Sequence, residues 1–139
     1  MKKVLVVGSL NMDMVLSVDH HPVPGETIIG DGITYHPGGK GANQAYAVGK
    51  LGGDVRIIGC VGWDNNGMIL TENLAQAGVD TTAINRMPEA PTGMAIIDVD
   101  KKGDNSIIVI SGANACLTPD LHGTATTEMY RDAIIQKLN

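Results

Sequence analysis

Phenylalanine is absent from this 139-residue chain, and one tryptophan and three tyrosines are its only other large aromatics. A core built from it must be aliphatic. Cysteine is scarce too: Cys60 and Cys116 lie far apart with no metal-like spacing, and they read as free buried thiols of a cytoplasmic protein. No run of lysine or arginine occurs, and the net charge is −5. That argues against a nucleic-acid role, since phosphates need a basic face, and against a polybasic membrane patch. No apolar run approaches the ~18 residues that span a bilayer. Met1-Lys2-Lys3 followed by Val4-Leu5-Val6-Val7 looks like the front of a signal peptide. The run breaks at Gly8-Ser9, however, meets Asn11 and Asp13, and has no small-residue cleavage site. What the chain does have is 43% hydrophobic residues, 18 glycines and seven methionines. This is enough apolar material for one domain's core, with many backbone positions of positive φ or close approach.

The order of patterns points to an α/β domain. Residues 4–10 are continuous and β-branched, as in a strand covered on both faces of a parallel sheet. Residues 41–51 place Ala42, Ala45, Val48 and Leu51 at three-residue steps, a close-packing helix that Gly52-Gly53 stops. Residues 54–61 read as the next strand. Asp64-Asn65-Asn66 offers caps for a helix over 67–77, which Gly78 closes. Four further stretches, 14–18, 27–35, 92–99 and 105–110, do not alternate with helices and read as extra antiparallel strands in a lobe beside the main sheet. After a polar, turn-rich segment, residues 128–138 turn amphipathic and predict a tail helix.

Two segments could carry chemistry. In Pro37-Gly38-Gly39-Lys40-Gly41-Ala42-Asn43 a glycine turn feeds a helix, exposing backbone N–H groups backed by the positive end of the helix dipole. Lys40 adds a mobile cation, and Asn43 stands one turn further in. An anion or polyhydroxyl ligand suits that geometry, and so does a plain tight turn. A Walker A loop is excluded, because Thr34 and Gly41 stand where Gly and Ser/Thr are needed; a dinucleotide fingerprint fails at Gln44. Asn11 and Asp13 follow the first strand and point the same way if the chain stays extended. An amide beside a carboxylate holds vicinal hydroxyls well, although a polar turn ending the strand would look the same. His20-His21 beside Asp19 reads as a solvated loop rather than a metal site. Ser9, Ser106 and Ser111 have no histidine and carboxylate partners that the sequence can place.

Six strings carry a resemblance: V-V-G-S-L-N-M-D (6–13), H-P-V-P-G-E-T (21–27), G-G-K-G-A-N-Q-A (38–45), C-V-G-W-D-N-N-G (60–67), T-G-M-A-I-I-D-V (92–99) and S-G-A-N-A-C-L-T-P (111–119). From about residue 3 to about residue 119 the chain resembles the ribokinase-like (PfkB) carbohydrate kinases. The resemblance implies a partial Rossmann-like ribokinase fold over 1–119, an α/β body with a small β-sheet lid whose strands lie at about 14–35 and 92–110. It implies that Asn11 and Asp13 bind sugar hydroxyls, that Gly39, Lys40 and Asn43 complete that side, and that Ala95, Ile97 and Val109 cover the sugar. The implied activity is ATP-dependent phosphorylation of a sugar, with D-ribose and its 5-hydroxyl favoured by the G-G-K-G-A-N string. ATP, Mg2+ and a monovalent cation are the implied cofactors, and lid strands clasping between subunits imply a homodimer or higher homo-oligomer.

The departures shape the expectation as much. Family kinases are about twice this length, and the Gly-Ala-Gly-Asp string that carries their catalytic base and anion hole does not occur here; nor does Asn-Xaa-Xaa-Glu. No catalytic or metal residue is therefore assigned in this chain. Residues 120–139 read as a divergent tail. The expectation is a truncated kinase with little or no turnover alone; the alternative is a non-catalytic sugar-binding or oligomerisation module.

Overall fold

The computed structural model describes residues 3–117; the tail 120–139 and its expected helix lie outside the described residues. Seven strands and two helices follow one another as β1 (Lys3–Val7), β2 (Asn11–Ser17), β3 (Gly32–Gly38), α1 (Lys40–Lys50), β4 (Asp54–Gly62), α2 (Asn65–Gln76), β5 (Asp80–Met87), β6 (Gly93–Val99) and β7 (Asn105–Ile110), with a short 3-10 helix at Gly112–Cys116. They form two sheets. The body sheet has the order β1-β4-β5 and is parallel throughout; the lid sheet has the order β3-β2-β6-β7.

The core lies in the body. Val55, Ile57 and Val61 of β4 pack with Ala42 and Ala45 of α1 and with Leu70 and Leu74 of α2, and Leu10 and Met12 close the cluster from the lid side. Ala42 and Ala45 let α1 lie close to the sheet as expected, but Leu51, the last residue of the expected face, falls at the helix end and is 88% exposed. Asp64 caps α2 by accepting from the Gly67 N–H at 2.8 Å, so the helix begins at residue 65, two residues before the expected start. Both helices end in the same six-residue hydrogen-bond pattern. Val79 N–H donates to Leu74 O and Gly78 N–H to Ala75 O, while Gly53 N–H and Gly52 N–H reach Val48 O and Gly49 O.

Three expectations change. The first strand ends at Val7 rather than at residue 10, because Gly8 makes the last bond to Ile58 O and Leu10, fully buried, plugs the step from one sheet to the other. The second lid strand runs over 32–38 instead of 27–35; it is an edge strand, so Pro37, with no N–H to give, is tolerated in it. The third correction concerns direction. The central lid pair β2–β6 is parallel, not antiparallel, since β2 leaves the body after β1 and β6 leaves it after β5, both departing the same way. Cys60 is buried as expected, whereas Cys116 is only partly so.

The seam between body and lid is held by Asp64. Its carboxylate accepts from the Thr92 N–H at 2.8 Å and from the Thr92 hydroxyl at 2.6 Å, and that hydroxyl accepts from Gly62 N–H at 2.9 Å. Burial pushes the Asp64 carboxyl up, but these bonds together with the one from Gly67 outweigh it and hold it below the usual carboxylate value.

Candidate functional site

Register decides which residues meet on the lid. Because side chains alternate along a strand, cross-strand partners share a face. Asp13 of β2 pairs with His36 of β3 on one side and Ala95 of β6 on the other, and Ala95 pairs with Val109 of β7. One row across the sheet therefore reads His36, Asp13, Ala95, Val109. Toward the body the next row holds Gly38, Asn11 and Gly93; away from it lie Thr34, Val15, Ile97 and Ile107. Five sequence candidates, Asn11, Asp13, Ala95, Ile97 and Val109, thus share one face. Ala95 is buried, Asn11, Asp13 and Ile97 are half-buried, and Val109 is 60% exposed.

The remaining three candidates line the step from β3 into α1. Gly39 has φ +98°, and a Cβ there would stand 2.6 Å from Ser9 O and 2.8 Å from Asn11 N, so the turn lies flat against the start of β2 only as glycine. The N-terminus of α1 is drawn in equally tightly. A Cβ on Gly41 would be 2.7 Å from the Gly8 carbonyl carbon, and Ala42 N–H donates to Ser9 O at 3.1 Å. Lys40 and Asn43, three apart on the first turn, share a side of the helix and are both exposed. No side chain caps α1 and no acidic residue sits in its first turn. The positive end of the dipole thus has no acidic partner within the helix's own first turn, and Lys40 adds to it.

Asp13 is the charged member of the face. Its carboxylate lies over the Gly38 Cα, where a Cβ would overlap it. Desolvation by burial pushes its pKa above the usual 3.8, with the neighbouring His36 pulling the other way. A carboxylate held in this way, facing a half-open apolar row, is set up to accept hydrogen bonds from hydroxyl groups.

Two residues outside the sequence candidates join the group. His36 comes opposite Asp13 and bonds Thr34 Oγ1 through Nε2 at 3.0 Å; period-two counting finds it once the strand runs to residue 38. Asn114 arrives from the 3-10 helix and bonds both Leu10 and the Asn11 side chain. No spacing rule links positions 103 apart.

The face so formed carries Asn11 and Asp13 on a small sheet, beside an α/β body and a glycine-lysine turn. The sequence pattern of the pfkB family carbohydrate kinases matches residues 1–133. This chain belongs to that family. It is 47% identical over 117 residues to the ribokinase of Haemophilus influenzae, covering 84% of this chain and 38% of that one. The crystal structure of ribokinase from Thermotoga maritima superimposes with a TM-score of 0.80 at 46% identity, over 87% of this chain and 40% of that chain. The Arabidopsis thaliana ribokinase complexed with ribose and ATP gives 0.73 at 36% identity, over 80% and 36%. The fold described above is accordingly part of a ribokinase fold, and the chain spans about two-fifths of the length of the relatives it matches.

Proposed function

We propose that this chain is the sugar-binding side of a cytoplasmic ribokinase-type kinase, taking D-ribose for phosphorylation at its 5-hydroxyl with ATP as donor. The observation that carries the reading is the placement of Asn11 and Asp13 on one face of β2, against the uncapped turn of Gly39, Lys40 and Asn43. Asp13 accepts from sugar hydroxyls, Asn11 and Asn43 add amide contacts, and Lys40 with the helix dipole balances the carboxylate. Ala95, Ile97 and Val109 supply an apolar cover that excludes water from those bonds. The similarity to the Arabidopsis thaliana ribokinase, complexed with ribose and ATP, favours these two as the ligands.

Phosphoryl transfer requires positioning and charge stabilisation around the transferred group. Among the described residues no three His, Cys, Asp or Glu side chains converge on a point where a metal would sit. The Gly-Ala-Gly-Asp and Asn-Xaa-Xaa-Glu strings, which the family resemblance ties to the catalytic base and to magnesium, do not occur in these 139 residues. The reading therefore expects no turnover from the 139 residues alone. Titration with D-ribose in a calorimeter should give heat from the wild-type chain and none from Asp13→Ala. Half a pocket leaves polar groups in water, so the binding should be weak. Absence of heat from the wild type overturns the sugar assignment; steady ADP formation from ATP and ribose overturns the claim of inactivity.

A second reading adds self-association through the lid. On edge strand β7, Ile107, Ile108, Val109 and Ile110 are between 46 and 60% exposed, as are Ile33 and Tyr35 on the opposite edge. Monomeric proteins rarely leave so continuous an apolar edge open, and a second copy of the sheet would cover it. Sedimentation of wild type against Ile108→Asp tests this: a wild-type monomer removes the idea.

A further inference from the structure

The side chain of Asn114 is oriented by backbone chemistry alone. The Leu10 N–H can only donate, and it faces Asn114 Oδ1 at 2.9 Å; the Leu10 carbonyl can only accept, and it faces Asn114 Nδ2 at 3.0 Å. The amide thus pairs with Leu10 as a strand neighbour would, and its orientation leaves no alternative. One Nδ2 hydrogen is spent on Leu10. The other meets the Asn11 side chain at 2.8 Å, which obliges Asn11 to present Oδ1 there. The Nδ2 of Asn11, with both hydrogens, is then the end left for the face it shares with Asp13.

The surroundings are shaped to this contact. A Cβ on Gly93, the β6 partner of Asn11, would overlap Asn114 Nδ2 and stand 2.5 Å from Asn11 Oδ1. The strand is bare where the two amides meet. Asn114 itself is pinned from behind: its N–H donates to Ser111 O at 3.0 Å, and that of Ala113 to Pro91 O at 2.7 Å.

We propose that Asn114 is a positioning residue that sets the hydrogen-bond polarity of the sugar face. It holds Asn11 as a donor next to Asp13 as an acceptor, so two neighbouring sugar oxygens meet one of each. With Asn11 turned over, an amide oxygen would lie beside the carboxylate and both hydroxyls would have to donate. The proposal deepens the sugar-binding reading and rests on it.

The test uses the 139-residue chain, D-ribose and two readouts. Asn114→Asp keeps an acceptor for the Leu10 N–H but offers no hydrogen to Leu10 O or to Asn11; it should raise the ribose dissociation constant about tenfold or more. Because Asn114 acts through Asn11, adding Asn114→Ala to an Asn11→Ala chain should change ribose affinity less than about twofold, whereas independent, additive losses overturn the role. The second readout needs neither variant nor sugar. In 15N spectra of the wild type, the Leu10 backbone amide and the Asn114 side-chain amide should exchange slowly with solvent. Fast exchange at both, with ribose heat intact, overturns the positioning role alone. No ribose heat with both amides protected overturns the sugar reading, and the role with it, while the contact stands.

Discussion

The body sheet and the lid sheet are built from the same aliphatic residues used in opposite ways. In β4, Val55, Ile57 and Val61 are at most 2% exposed, because α1 and α2 pack against that face of the body sheet. In β7, a run just as apolar lies open, since none of the described helices lies over the lid edge. Hydrophobic burial scales with area removed from water, so the body supplies most of the stability, and the lid, with little to lose, presents the polar residues. The two are joined at a few points: the Leu10 plug, the Gly39 turn and the Asp64–Thr92 seam.

That contrast can be broken or sharpened by substitution. The largest effect is expected in the body. Ile57→Ala should cost about 2–5 kcal/mol in urea unfolding, against less than about 0.5 kcal/mol for Ile108→Ala in the lid; equal losses would show that the lid shares the core. Asp64→Ala removes a helix cap and two bonds across the seam, with an expected loss of about 2 kcal/mol by the same measurement. A loss near zero would mean that the seam holds nothing.

Asp13→Asn is the site's counterpart. The folded-state pKa of Asp13 is raised, so its ionisation opposes folding: the penalty is absent below pH 3.8 and complete above the folded value. Removing the charge should raise the thermal midpoint at pH 7 by about one degree while abolishing ribose heat. A drop in the midpoint would contradict the burial of that carboxylate.

The smallest effect belongs to the exposed end of the body. Asp80 is held at about 2 by the Thr82 hydroxyl and N–H and by Arg56. Its stabilising contribution is present above pH 3.8 and is lost as pH falls through about 2. Asp80→Asn should shift the acid-unfolding midpoint upward by about 0.2 pH unit, read by circular dichroism.

The same contrast explains what the sequence could and could not reveal. Body elements are set by local signals: the β-branched run of β4, the small-residue spacing of α1, and glycines at 52 and 78 that end helices through bonds within six residues. Each was legible because cause and effect lie close together in the chain. The candidates Asn11 and Asp13 were legible through period-two alternation, and the glycine turn through its composition. Lid direction was not, since parallel pairing of β2 with β6 depends on how the chain leaves the body twice. Nor was the Asn114–Asn11 contact, which only the folded register creates.

The parallel pairing of β2 with β6 also sets an order of events. Asn11–Ser17 must wait for Gly93–Val99, some eighty residues later, before the middle of the lid can close. β2 and β3 can pair beforehand, but α1, β4, α2 and β5 all intervene. A chain emerging N-terminus first would therefore hold β2 and β3 as a two-stranded ribbon, with the inner edge of β2 open, until β6 appears. Long-range pairing of this kind slows folding and prolongs exposure of open strand edges. The step that completes the lid sheet is thus also the one during which the nascent chain is most open to chaperones and to misassociation.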